Sequence, residues 1–137
     1  MRLNMDCLRD TLLALEDGQR YYVIDENTVA KDYLDLEEVC ALVPKYDKAE
    51  VFYALQNLDQ AGMIDMTAKW TNGFVYYCSI NDVLYEGHQF ADKIRDEARW
   101  GKLKKGLSTV RDYSLSAIEA IAEGMTSAAI TAYLTKA

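Results

Sequence analysis

Residues able to do chemistry are few and scattered in this 137-residue chain. His88 is the single histidine. Acid–base or nucleophilic work by an imidazole needs a hydroxyl, thiol or paired carboxylate beside it, and no triad-like grouping surrounds His88 in sequence. It reads as a structural, hydrogen-bonded residue. Cys7, Cys40 and Cys78 are an odd number, lie far apart and form no CxxC pair, so with one histidine they do not match zinc-ligand spacing. Buried reduced thiols are expected instead. GxGxxG and GK[ST] are both absent, which removes the usual phosphate-cradling loops. The expectation is a protein without catalysis, metal or cofactor.

Polar spacing is more informative. Tyr53, Gln56, Asn57 and Gln60 fall at i, i+3, i+4 and i+7, one helix face, and Asn and Gln side chains can pair with adenine edges in a major groove. Cations are scarce around them, with Lys48 alone against Asp47, Glu50 and Asp59. Phosphate neutralisation normally supplies much of the affinity for DNA, so duplex binding is expected to be weak. Residues 1–92 hold seven Lys and Arg against seventeen Asp and Glu, a balance of −10, whereas residues 93–111 hold seven against two, a balance of +5. Glu37, Glu38, Asp47, Glu50 and Asp59 are a candidate acidic partner surface, with solubility as the ordinary reading. Arg95, Arg99, Lys102, Lys104 and Lys105 form a candidate basic stripe, read first as a solvated face that offsets the acidic body of a neighbouring subunit.

The elements that must carry these residues can be read from periodicity. Met5, Leu8, Leu12 and Leu15 give one face of a helix over Met5–Glu16, closed by Gly18. RYYVID then predicts a short strand pairing with a later hairpin, and Glu26–Tyr33 a polar loop. Leu36, Val39, Cys40 and Val43 form a second helix behind an Asp35–Glu38 capping box, ended by Pro44. An Asp47–Glu50 box opens a third, with Val51, Leu55 and Leu58 buried and Gly62 as its left-handed stop. MIDMTAKW and FVYYCSI, joined through Asn72-Gly73, predict a hairpin. A long helix is expected from about Asp82, capped by Asn81 or Asp82. A basic connector follows over residues 101–113, then a helix capped by a Ser116–Glu119 box. Its small and apolar residues, including Ile118, Ile121, Met125, Ala128 and Ala132, suggest a homo-oligomer contact.

Helix, strand, helix, helix and hairpin together predict a winged helix-turn-helix: a mainly α fold with a small β wing and a C-terminal helical extension. The expected division is a winged-helix domain over 1–100, the connector over 101–113 and the C-terminal helix over 114–137. NMDCLRDTLLALE, EVFYALQNLDQAGMI and YEGHQFADKIRDEARWGKLKK resemble blocks of an uncharacterised bacterial and phage domain-of-unknown-function family with a winged-helix body, related to YjcQ-like proteins. The Gly87-His88, Phe90, Ile94-Arg95-Asp96 and Trp100 spacing is the most specific part, and Leu84 stands where that family tends to place a Thr helix cap. The resemblance implies a fold and a phage or prophage setting, but no catalytic or binding residues.

With no secretory h-region and no uninterrupted apolar run, the expectation is a cytoplasmic, non-membrane protein. Ten tyrosines against three phenylalanines favour a partner surface. The function expected is a regulator or adaptor acting through protein contacts. A DNA-binding repressor and an acidic decoy that inhibits a host nucleic-acid-handling or defence protein are the alternatives.

Overall fold

The computed structural model describes residues 1–124. Within them the helices are α1 (Met5–Gly18), α2 (Leu36–Leu42), α3 (Lys48–Gln60), α4 (Tyr85–Ile94), α5 (Glu97–Val110) and α6 (Leu115–Gly124). The strands are β1 (Tyr21–Asp25), β2 (Thr28–Lys31), β3 (Leu34–Asp35), β4 (Ile64–Thr71) and β5 (Phe74–Val83). They make two small antiparallel sheets, β1-β2 and β3-β5-β4, so the class is mixed α/β rather than mainly α. None of the described helices is long and apolar enough to cross a membrane.

Local chemistry explains the helix boundaries. Asn4 Oδ1 accepts from Cys7 N at 3.1 Å and caps α1. Asp35 and Glu38 form a complete capping box on α2, at 2.8 and 3.2 Å. On α3 only half of the expected box is present. Asp47 Oδ1 accepts from Glu50 N at 2.8 Å, but the Glu50 carboxylate turns away to accept from Asn4 Nδ2 at 2.9 Å, tying α3 to the start of α1. Gly62, at φ 75°, closes α3. Gly62 N and Met63 N donate to the carbonyls of Asp59 and Leu58, the bonding pattern of a left-handed C-terminal stop.

The strands correct two expectations. RYYVID does not pair with the later hairpin; β1 pairs with β2, in the stretch expected to be a loop. Asp25 Oδ1 accepting from Asn27 N at 2.9 Å makes the intervening turn. Both faces of this ribbon are largely exposed, so it lacks the one-sided alternation that identifies a half-buried strand. The two residues of β3 pair with β5 instead, Leu34 opposite Ile80 and Asp35 opposite Ser79. Asn72 and Gly73, at φ 48° and 83°, make the two-residue β4–β5 turn that Asn-Gly predicts.

After β5 the expected long helix is two helices. β5 runs to Val83, and neither Asn81 nor Asp82 caps α4. Asn81 is held by Thr67 and Ser79, Asp82 by Lys31, and the N-cap Leu84 makes no side-chain cap bond. The chain breaks at Arg95–Asp96, where Asp96 caps α5 through Arg99 N at 3.2 Å. Residues expected as a connector are therefore helical through Val110, because Trp100, Leu103 and Leu107 give them a buried stripe. Ser114 Oγ accepts from Ala117 N at 3.2 Å, so the residue that caps α6 lies two positions before the expected cap Ser116.

One apolar cluster joins all six helices and the β3-β5-β4 sheet. Leu8, Leu12, Val39, Val51, Leu55 and Leu58 are buried together as expected, with Ile80, Ile94, Leu103, Leu107 and Ile118, whereas Leu36, expected among them, is half-buried at the edge of the cluster.

Candidate functional site

The polar face of α3 is only partly open. Gln60 is exposed, but Tyr53, Gln56 and Asn57 are half-buried. Asn57 Nδ2 donates to the Tyr53 carbonyl at 2.8 Å. Tyr53 and Asn57 share a cleft with the first residues of the chain and the α5–α6 turn, so this helix does not present its full length for insertion into a groove.

Each of the five candidate acidic residues has a partner within the chain. Glu37 pairs with Lys48, Glu38 and Asp47 cap helices, Glu50 accepts from Asn4, and Asp59 Oδ1 accepts from Met66 N at 3.3 Å. Carboxylates at α2 and α3 N-termini face unpaired N–H groups and the positive end of the helix dipole. Much of the acidity thus has local structural work.

The basic stripe is divided in the same way. Arg95 donates to Glu16 at 2.5 Å and to Asp92 at 3.2 Å, and Lys104 Nζ meets Asp6 at 3.2 Å. Arg99 Nη2 donates to the Ala122 carbonyl at 3.4 Å. Arg95 and Lys104 thus offset carboxylates of their own chain. Lys102 and Lys105 face solvent on α5. Of the candidate oligomer residues, Ile118 and Ile121 are buried within this chain's own core. Met125, Ala128 and Ala132 lie outside the described residues.

His88 sits at a joint. Its Nδ1 lies 2.6 Å from Glu16 Oε2, while the other Glu16 oxygen holds Arg95. Arg9 donates to the carbonyls of Ile94 and Arg95 at 2.8 and 2.7 Å. This network locks α4 onto α1. Among the described residues the His88 ring is hydrogen-bonded to Glu16.

Sequence reasoning missed the surface with the clearest chemistry. The β1–β2 ribbon exposes Tyr21 (70%), Val23 (71%), Ile24 (61%) and Val29 (65%), and the β4–β5 hairpin exposes Trp70, Phe74 and Tyr76. Phe52 braces Trp70 edge-on at 5.7 Å. Beside the hairpin, β3 covers only the Ser79–Ile80 end of β5, leaving the edge from Phe74 to Cys78 without a neighbouring strand on that side among the described residues. A groove of about 400 Å³ runs along that edge, walled by Tyr33, Leu36, Val75 and Tyr77 and bridged by the Glu37–Lys48 pair. The available signal was the tyrosine count, which did not say which strands lie outside the core.

Neither the comparison with curated proteins nor that with solved structures gave a match. Residues 2–113, from the start of the chain to just beyond α5, match the family model described as "Hypothetical protein (DUF2513)", and the chain belongs to that uncharacterised family.

Proposed function

We propose that this chain is a non-enzymatic winged-helix protein of the YjcQ-like kind, a phage or prophage regulator or adaptor that acts through protein–protein contacts in the cytoplasm. The winged-helix reading is supported by the order α1, β3, α2, α3, β4, β5 and by the short β3 lying beside β5 rather than β4. The observation that carries the binding reading is the set of large apolar side chains on two hairpins outside the core. An isolated two-stranded ribbon is at best marginally stable in water, and large exposed apolar patches mark interaction sites. The half-covered face of α3 and its scarce cations support a protein partner over a DNA operator.

The test is a photo-crosslinking residue placed at Val23, Tyr76 or Gln60 in the intact protein, expressed in its native host. Positions 23 and 76 should capture protein, and position 60 should not capture duplex DNA. Duplex DNA captured at position 60, with no protein captured at the other two, would replace this reading with a repressor.

A further inference from the structure

The cleft beside α3 has a composition unlike the rest of the body. It is an open cleft of about 320 Å³, at the lower end of the roughly 300–1,000 Å³ typical of small-molecule sites. Arg2 and Arg111 both line it, although residues 1–92 carry a balance of −10. Neither guanidinium forms an ion pair among the described residues. Arg2 lies over the Tyr113 ring, 4.7 Å from its centroid. A guanidinium held over an aromatic face still has N–H donors to offer an anion.

Arg111 occupies a costly backbone position. It is the C-cap of α5 at φ 56°, a left-handed conformation normally left to glycine or asparagine. Glycine would relieve this strain, yet the chain carries a cation there. The one carboxylate in the lining, Asp112, accepts from Ser114 N at 3.0 Å through Oδ1, leaving the three charged side chains of the cleft at a formal +1. Tyr53 and Asn57 of α3 line the same cleft. Because Asn57 Nδ2 donates to the Tyr53 carbonyl, its Oδ1 is the acceptor left for a ligand.

We propose that this cleft binds a nucleotide monophosphate bearing an amino-substituted base, either free or as the 5′-phosphorylated end of a single strand. The phosphate sits between Arg2 and Arg111. The base lies against Tyr53 and donates its exocyclic amine to Asn57 Oδ1. This site takes a small anionic ligand and is independent of the apolar hairpins.

Calorimetry on the full chain tests it with AMP, UMP and adenosine. AMP should bind saturably at millimolar concentration or below, with adenosine and UMP each weaker by about tenfold or more. Arg111→Gly should keep or raise the melting temperature, since glycine suits the backbone there, and weaken AMP by about tenfold. Arg2→Gln should weaken AMP similarly. Oligo-dA with a 5′-phosphate binding more tightly than AMP assigns the site to strand ends; equal or weaker binding assigns it to free nucleotides. Absence of saturable AMP binding overturns the proposal, and so does AMP affinity unchanged in both arginine variants.

Discussion

Gly87 and Gly101 show how differently one residue type serves in two helices. A Cβ on Gly87 would come within 2.2 Å of the Met63 carbonyl oxygen, because α4 crosses the α3–β4 turn at that point. Gly87→Ala should lower stability by about 1–3 kcal/mol in denaturant unfolding, since backbone blocks the added methyl. Gly101 lies inside α5 with nothing within 4 Å of a Cβ. Gly101→Ala should raise stability by about 0.5–1 kcal/mol through helix propensity. The buried cysteines give a second residue-scale expectation. Burial pushes the thiols of Cys7 and Cys78 from 9.0 up to about 11. The folded state therefore holds their protons more tightly than the unfolded state, and their contribution to stability is present below about pH 9 and lost towards pH 11. At neutral pH both should resist iodoacetamide until the protein is unfolded. Rapid alkylation of the native protein at these two positions would show that they are not enclosed.

Between elements, Asp6 fastens α1 to α5. Its carboxylate accepts from Trp100 Nε1 at 2.8 Å and from Lys104 Nζ at 3.2 Å. Desolvation pushes its pKa up, but the bonds from Trp100 and Lys104 outweigh this and hold it below the usual 3.8. A depressed carboxyl stabilises the fold above about pH 4 and loses that contribution as pH falls through its folded value. Asp6→Asn should therefore lose stability at neutral pH and show a shallower decline on acidification, measured by melting temperature across pH. The packing of α3 follows a plainer rule. Leu55 is fully buried against α1 and its neighbours, so Leu55→Ala should cost about 2–5 kcal/mol. Replacing Val23 and Tyr76 by threonine should move stability by only about 0.5 kcal/mol each, because both side chains face solvent, while abolishing the protein crosslinks expected at neighbouring hairpin positions.

For the whole molecule, the net charge of −7 acts with its internal pairing. Arg95, Lys104 and Arg99 of the basic stripe are engaged with α1, α4 and α6, and Lys102 and Lys105 face solvent on α5. Duplex DNA binding should be weak, fall steeply with added salt and depend on those two lysines. Nanomolar, sequence-specific binding at physiological salt, lost in a Gln56→Ala, Asn57→Ala double variant, would contradict this and restore the repressor. Self-association is a separate proposal. With Ile118 and Ile121 committed to the chain's own core, a dimer detected by light scattering should respond to changes on the exposed hairpins more than to changes at those two positions.

The sequence by itself determined the pieces whose cause is local. Capping at Asp35, half of the box at Asp47, the stop at Gly62, the Asn72-Gly73 turn and the apolar faces of α1 and α3 all depend on residues within about one or two helical turns of each other, so spacing reveals them. Membership of an uncharacterised domain-of-unknown-function family was legible for the same reason, in contiguous blocks. Tertiary structure decided what depends on distant partners. Glu50 leaves its box for Asn4, Asp82 is taken by Lys31, and Glu16 draws in His88 and Arg95 from across the chain. Tertiary structure also put β1 and β2 outside the core and set Arg2 beside Arg111. An apolar strand looks the same in sequence whether it is buried or projecting, and two arginines 109 positions apart share no pattern until the fold closes around one cleft.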